Sequence, residues 1–345
     1  LMTGIAVLGA RPMLELMKTP DNIIDDAVKY IAVIYWGIVA AMAYNMAAGI
    51  LRALGDSKTP LYFLIVSSIL NVILDIVFIV VFNSGVVGAA YATVIAQGVS
   101  ALLCILYIIR KFPILHLHKK DWTFSFSLAG RLFSIGLPMA LQFSITAIGV
   151  MVLQSAVNGF GSTAVGAYTA ASKVEQLATQ PMQTLGTTMA TYCGQNMGAS
   201  RYDRIKAGMH SASIIAIATT VFAILVVVLG GNTIVGWFVS NPTEDVLHWA
   251  QTYLRTISFF FIFLSFLFLY RNALQGVGLS FVPLMAGVGE FVTRIIMALF
   301  FAQNNYVMIC LASPFAWIAA YVLLAIKYYF YSSRELKMHI ANMKS

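Results

Sequence analysis

Asp75 stands in the middle of an uninterrupted apolar run, Leu70-Asn71-Val72-Ile73-Leu74-Asp75-Ile76-Val77, with no basic residue within a helical turn. An ionised side chain at the centre of a bilayer costs at least about 2.5–3.5 kcal/mol on insertion scales, so an acid there is a functional candidate by default. A carboxyl group in low dielectric with no fixed counter-ion binds H+ or Na+ and can exchange it for another cation. Asn71 lies four residues earlier, on the same helical face. The competing interpretation is a protonated acid hydrogen-bonded between helices. Other polar residues interrupt apolar stretches. Lys173 and Glu175 are separated by two positions and point to different faces, so Glu175 either faces a cavity, where it attracts a cationic compound, or makes a polar contact between helices. Gln180, Gln183 and Thr184 surround Pro181, where a kinked helix can expose amides and carbonyls to a cavity. Glu290 and Arg294 have the spacing of an intrahelical salt bridge. Cys104, Cys193 and Cys310 are scattered, as are the five histidines, so neither a disulfide framework nor a zinc site is indicated. His116 and His118 belong to a polar loop with Lys119 and Lys120. No nucleotide-binding loop and no clustered nucleophile and base occur, and no cofactor or resident metal is expected beyond a coupling H+ or Na+ at Asp75.

The elements that hold these residues are set by composition. Of 345 residues, 60% are hydrophobic and 10% charged, and the mean hydropathy is +0.85. Soluble domains carry about 25% charged residues, so the chain reads as a polytopic membrane protein. Apolar stretches near 28–52, 60–83, 86–110, 131–158, 163–195, 205–239, 247–272, 278–303 and 305–332, with a partial one at 1–17, predict helices that cross the bilayer. The net charge of +8 suits loop orientation better than nucleic-acid binding. Basic residues gather in every second connection, at Arg52 and Lys58, Arg110 to Lys120, Arg201 to Lys206, Arg271, and Arg334 to Lys344. Those loops, the C-terminus and the long polar segment with Pro113 and Trp122 are expected in the cytoplasm, and the loops with Asp21, Asp25, Asp26, Glu244 and Asp245 outside. The chain opens within an apolar run and without a charged leader, and reads as an N-terminally shortened protein.

An internal repeat organises the spans. Tyr30, Gly55, Ser57, Pro60 and Leu61 recur as Tyr253, Gly278, Ser280, Pro283 and Leu284 at a constant shift of about 223, with Pro20 matching Pro242 nearby. Both copies have the same membrane orientation, which is a parallel repeat. The helices at 131–158 and 163–195 have no partner in the first copy, so two helices and part of a third are expected before residue 1. The predicted fold is an all-α integral membrane protein of two pseudo-symmetric six-helix bundles. Residues 1–110 are the remainder of an N-terminal lobe, 111–130 a cytoplasmic linker, 131–332 a C-terminal lobe and 333–345 a cytoplasmic tail. At the shift of about 223, Asn71 and Asp75 correspond to Arg294 and Ala298, so symmetric scaffolding does not account for an acid in one half alone.

The turn Leu51-Arg52-Ala53-Leu54-Gly55-Asp56-Ser57-Lys58-Thr59-Pro60, the segment Gly85-Val86-Val87-Gly88-Ala89-Ala90-Tyr91-Ala92-Thr93, Ile135-Gly136-Leu137-Pro138 and Gly194-Gln195-Asn196-Met197-Gly198-Ala199 resemble the multidrug and toxic compound extrusion (MATE) family, in its DinF-like branch. The resemblance implies a cation-coupled antiporter that exports amphiphilic, often cationic, organic compounds by alternating access. It also implies that Asn71 and Asp75 are a cation-coupling pair completed by Thr93, and that Tyr30 and Asn45 line the same cavity. Gln142 stands near the position where the NorM-type branch carries a cation-binding glutamate. Being uncharged, it favours coupling in the N-terminal lobe, and it is either a cavity residue or a helix-to-helix hydrogen bond.

Three functions compete on these observations. A multidrug antiporter driven by H+ or Na+ fits the lone Asp75, and the many Met and Phe suit a pliable cavity lining. A flippase of lipid-linked oligosaccharides, or a polysaccharide exporter, needs several Lys or Arg within the membrane to hold a diphosphate, and Lys173 alone qualifies. A membrane-embedded enzyme needs a catalytic constellation that the spans do not show. The expected setting is the plasma or inner membrane. The expected partners are small organic molecules and the bilayer, without nucleic acid, for a monomeric protein.

Overall fold

The structure is a computed structural model that describes residues 2–16, 21–116, 118, 121, 123–239, 243–301, 305–336 and 338. Lys18, Pro20, Lys119, Lys120, Trp122, Pro242, Gln303, Asn304, Lys337, His339 and Lys344 lie outside the described residues. The described residues are overwhelmingly helical and contain no strand. Among the described residues, seven helices are long and apolar enough to cross a membrane, and a bent helix pair makes an eighth where it is taken as one span. The protein is therefore an all-α, multi-pass membrane protein, because helices satisfy their own backbone groups where no water is available.

The chain divides into two compact units, Leu1–Phe124 and Ser125–Ser345. In the first, α1 (Met2–Leu16) packs on α2 (Asp21–Ala53), and both α2 and α3 (Lys58–Ile76) pack on α4 (Gly85–Lys111). A Cβ at Gly37 would collide with the Val94 side chain, so a glycine lets α2 and α4 approach closely. Ala47, Leu51 and Cys104 form the small buried core, with Tyr44, Phe63 and Tyr107 packed around it.

In the second unit, α5 (Phe126–Asn158) begins at Ser125, whose hydroxyl accepts the Leu128 N–H at 3.3 Å. The helix α6 (Ser162–Gly198) packs on α7 (Tyr202–Phe238), α8 (Glu244–Ser258) and α9 (Phe261–Gly276). At about 1.5 Å per residue, its 37 residues reach well beyond a bilayer, but their composition is less apolar than that of the other spans. Its Ala164, Ala167, Ala171 and Gly186 are buried, as expected where small residues bring helices together. The helices α8 and α9 meet at a 55° bend. The Thr243 hydroxyl caps α8 by accepting the Val246 N–H at 3.4 Å, and Glu244 and Asp245 follow in the first turn. The helix α10 (Phe281–Ile296) packs against both α5 and α11 (Tyr306–Phe330). Tyr253, Phe261, Leu153, Met182 and Leu274 lie at the centre of the core. A second cluster around Met189, Cys193, Ile205 and Leu269 takes in Tyr331 and Leu336 from the π-helical turn that follows α11.

The repeat is present in backbone detail. Gly55 and Gly278 both have left-handed φ, +90° and +87°. The Gly55 N–H donates to the Arg52 carbonyl and the Asp56 N–H to that of Leu51, while the Gly278 N–H donates to Gln275 and the Leu279 N–H to Leu274. Every pair is related by the same shift, so one C-terminal glycine turn is built twice. It is followed by Ser57 and Ser280 ahead of α3 and α10, by the buried Pro60 and Pro283, and by a π-helical turn at the far end of each helix, Val77–Val81 and Met297–Phe301.

Two outcomes follow. A Cβ at Gly276 would collide with the Ala190 backbone of α6, so Gly276→Ala is expected to destabilise the protein by about 1–3 kcal/mol, whereas Gly98→Ala, with open space around it, leaves stability unchanged or raises it. Thermal unfolding in detergent checks both. The second outcome concerns Asp56, in the turn between α2 and α3. Its carboxylate accepts the Thr59 N–H at 3.0 Å and the Thr59 hydroxyl at 2.7 Å, and the first of these bonds in particular holds it below the ordinary value of 3.8. A depressed native pKa means that this stabilisation is present above the unfolded value and disappears as pH falls through the native one. Asp56→Asn is therefore expected to lower the unfolding temperature at neutral pH, with the difference from the parent vanishing in strong acid.

Candidate functional site

In the first unit, α2, α3 and α4 enclose a cavity of about 320 Å³. Its wall includes Asn45 from α2, Ser67 and Asn71 from α3, and Thr93, Gln97 and Ser100 from α4. Three of the residues singled out in the sequence, Asn45, Asn71 and Thr93, thus share one cavity, whose wall mixes these polar side chains with Ala41, Leu64 and Ala96. Asp75 lies one turn beyond Asn71 and is not part of the wall, and neither is Tyr30, which is half-buried earlier on α2.

The polar groups differ in how they are satisfied. Asn45 donates to the Ala41 carbonyl at 2.9 Å and Thr93 to the Ala89 carbonyl at 2.9 Å, so both are tied to their own helices. The Asn71 Nδ2 and the Asp75 Oδ1 are buried without a hydrogen-bond partner. Unpaired buried polar atoms are rare because each costs about 1–3 kcal/mol. The spare donor of Asn71 and the spare acceptor of Asp75 sit on consecutive turns of a membrane-spanning helix.

In the second unit the carboxylates are paired with side chains of neighbouring helices, while Arg271 Nε, Arg294 Nε and Arg294 Nη1 are buried without a hydrogen-bond partner. Gln142 is 1% exposed and its Oε1 accepts from Gln275 Nε2 at 3.2 Å, so it joins α5 to α9. A Cβ at Gly287 would stand 2.9 Å from the Gln142 side chain, and a glycine there makes room for it. Glu175 accepts a hydrogen bond from the Tyr253 hydroxyl at 2.6 Å, which joins α6 to α8. The Tyr168 ring meets the Tyr253 ring edge-on at 4.9 Å. Lys173, Gln180 and Gln183 are exposed on this unit. Glu290 binds Arg294 at 3.3 Å within α10 and also pairs with Arg271 of α9, all three being buried.

Arg271 corrects the loop pattern read from the sequence. It is not a solvated basic residue between spans but a buried one inside α9, 7% exposed and neutralised by Glu290. Tyr253 and Gln275 escaped notice as polar partners because neither residue type is unusual at a helix end. The periodicity of α9 places Leu267, Arg271 and Leu274 on one face, which was the available signal.

A family model, MatE, matches residues 1–77 and 138–300. The chain belongs to the MatE family. It is 30% identical over 289 residues to the probable multidrug resistance protein YpnP of Bacillus subtilis (strain 168), an alignment that covers 81% of this chain and 63% of that protein. It is 29% identical over 212 residues to the probable multidrug resistance protein YoeA of the same organism, covering 59% of this chain and 46% of that one. The chain thus spans less than two thirds of the length of these curated relatives. Among solved structures, the MatE fold is shared with a MATE crystal structure in the bent conformation, at a TM-score of 0.84 and 19% identity, covering 99% of this chain and 76% of the other. It is shared also with a MOP superfamily transporter from Pyrococcus furiosus, at 0.87 and 20% identity over 99% and 76%. Asn71, Asp75, Gln142, Glu175, Glu290 and Arg294 fall inside the segments matched to MatE, and Thr93 falls outside them.

The bond between Glu175 and Tyr253 is open to a double-mutant cycle. Tyr253→Phe, Glu175→Gln and the double variant, unfolded thermally in detergent, are expected to show a coupling energy of about 0.5–3 kcal/mol. Strictly additive effects would show that the two side chains act separately.

Proposed function

We propose that this protein is a secondary antiporter that exports amphiphilic or cationic organic compounds in exchange for H+ or Na+, with Asp75, Asn71 and Thr93 forming the coupling site. The observation that carries it is the unpaired Asp75 oxygen, one helical turn from the unpaired Asn71 amide, in a membrane-spanning helix beside a cavity of about 320 Å³. A carboxyl group so placed is stable once it holds a proton or a sodium ion, and losing that ion creates a site for a cationic cargo. Binding at the acid then favours one access state over the other, which is what coupling requires. Tyr30 and Asn45 on α2, and Gln142, Glu175, Gln180 and Gln183 in the second unit, are further candidates for contact with the cargo.

The wall of the cavity contains Asn, Gln, Ser and Thr and no Lys or Arg. That disfavours a flippase or exporter that must hold a diphosphate or another anionic saccharide carrier. Membership of a transporter family points away from an enzyme. The names of the relatives, each a probable multidrug resistance protein, favour organic compounds as cargo. In this reading 1–110 and 131–332 are the two transport lobes, 111–130 and the tail from 333 face the cytoplasm, and a monomer works in the plasma or inner membrane.

The test is export of a fluorescent lipophilic cation from cells that lack their own multidrug exporters, or from liposomes under a pure H+ or a pure Na+ gradient. Asp75→Asn is expected to lower gradient-driven export by about tenfold or more while the protein keeps its unfolding temperature. Undiminished export by the folded Asp75→Asn protein would remove Asp75 from the mechanism. Whichever gradient alone drives the parent identifies the ion.

A further inference from the structure

The two copies of the repeat differ at the positions where the first carries its unpaired acid. At the shift of about 223, Ser67, Asn71 and Asp75 on α3 correspond to Glu290, Arg294 and Ala298 on α10. The matching glycine turns fix this register, since α3 begins at Lys58 and α10 at the corresponding Phe281. Tyr30 corresponds to Tyr253, and Thr93 to Ala316. We propose that the Arg294 guanidinium is a built-in cation that takes, in the second copy, the place of the exchangeable ion in the first, so that the protein couples transport through a single cation site. The part of this that concerns the first copy rests on the Asp75 reading above.

Arg294 is 4% exposed, and its Nη2 donates to one oxygen of Glu290 at 3.3 Å while Arg271 takes the other oxygen. The charge of Arg294 also reaches Glu175, whose carboxylate is held by the Tyr253 hydroxyl. Two guanidinium groups thus converge on the one Glu290 carboxylate across α9 and α10, and Arg294 Nε and Nη1 are buried without a partner. Further titratable neighbours are Tyr168 beside Glu175, Cys310 beside Tyr253 and Tyr168, and Tyr306 beside Cys310 and Tyr168, all neutral side chains at ordinary pH. Gly149 of α5 clears the space, since a Cβ there would stand 3.3 Å from Arg294 Nη1.

The substitutions between copies are complementary. Arginine in place of asparagine adds a permanent cation, and alanine in place of aspartate removes the acid that would need a mobile one. The buried serine position becomes Glu290, one turn before Arg294, where the new cation needs an anion. A covalently attached guanidinium stays charged at every attainable pH and cannot dissociate, so Glu290, paired with Arg294 and Arg271, has no vacancy for H+ or Na+. The first copy has no such group among the residues lining its cavity, and Asp75 keeps a free oxygen.

The test counts cations bound by the purified full chain, using radioactive Na+ at alkaline pH and the infrared carboxylic acid band as a proton counter. Asp75→Asn alone is expected to abolish saturable binding. Arg294→Asn, which installs the residue of the first copy, is expected to gain about one cation per chain as Glu290 keeps Arg271 on one oxygen and loses its partner on the other. Adding Glu290→Gln to that variant should remove the gain, and Arg294→Lys should keep the parental count. Binding in Asp75→Asn that Glu290→Gln or Glu175→Gln removes would overturn the proposal, as would a folded Arg294→Asn protein that binds no more than the parent. Should Arg294→Asn not fold, the Asp75→Asn measurement decides: residual saturable binding overturns the proposal and complete loss supports it. A parent that binds no cation while Arg294→Asn gains one upholds the role of Arg294 and defeats the Asp75 reading instead.

Discussion

Hydrocarbon offers no water to pair a charge, so every ionised side chain within these helices must find its counter-ion in the protein or carry a bound ion. The second unit meets this constraint from its own side chains. Glu290 lies between Arg271 and Arg294, and Glu175 is bonded by Tyr253. Small residues make that network geometrically possible. Gly149 leaves room for the Arg294 guanidinium, Gly287 for Gln142, and Gly276 for the close approach of α9 to α6. Unpaired buried atoms remain in both units, on the Arg271 and Arg294 guanidinium groups in the second and on Asn71 and Asp75 in the first, but only at Asp75 among them does the unpaired atom belong to a carboxylate.

The two units reach these different ends on one scaffold. The glycine turns at Gly55 and Gly278 have the same φ and the same pair of backbone hydrogen bonds, and each launches a helix with a buried proline in its first turn. The copies differ before the turn, where the continuous α2 corresponds to α8 and α9 with their 55° bend, but the turn and the start of the helix after it are alike. Beyond it, three side chains on successive turns distinguish them, as Ser67, Asn71 and Asp75 in one and Glu290, Arg294 and Ala298 in the other. A shared turn that fixes the register of α3 and α10 is what makes a residue-by-residue comparison of charge along these two helices meaningful.

What could be read in advance follows from the range of the interactions. The spans, the repeat and the Glu290–Arg294 pair are local, so hydropathy, turn residues and i,i+4 spacing reveal them. Asp75 is visible for the same reason, as one charge in an apolar run. Glu175 and Tyr253 lie 78 positions apart, and Gln142 and Gln275 lie 133 apart, so only the fold pairs them. Arg271 was hidden by the rule that assigns basic residues to loops, a rule that fails where a carboxylate on a neighbouring helix neutralises the cation. The cavity wall was partly hidden because Ser, Thr and Asn in helices commonly bond their own preceding turn, as Asn45 and Thr93 do. Residue type does not separate such a side chain from one that faces a cavity.

The asymmetry in pairing also decides where an ion can do mechanical work. In the second unit, changing the charge of Glu290 breaks a bond within α10 to Arg294 and one that joins α9 to α10 through Arg271, and changing that of Glu175 breaks one that joins α6 to α8, so any bound ion must first offset the loss of existing contacts. At Asp75 and Asn71 an arriving ion meets atoms with no bond to lose. Its binding energy is then available to reorder α3 and its neighbours instead of being cancelled locally. A ligand shifts a conformational equilibrium only by its differential affinity for the two states, and that difference is greatest where the empty state leaves polar groups unsatisfied. On the coupling role proposed for Asp75 and Asn71, ion loading would therefore act on the first unit, through α3 and the helices packed against it.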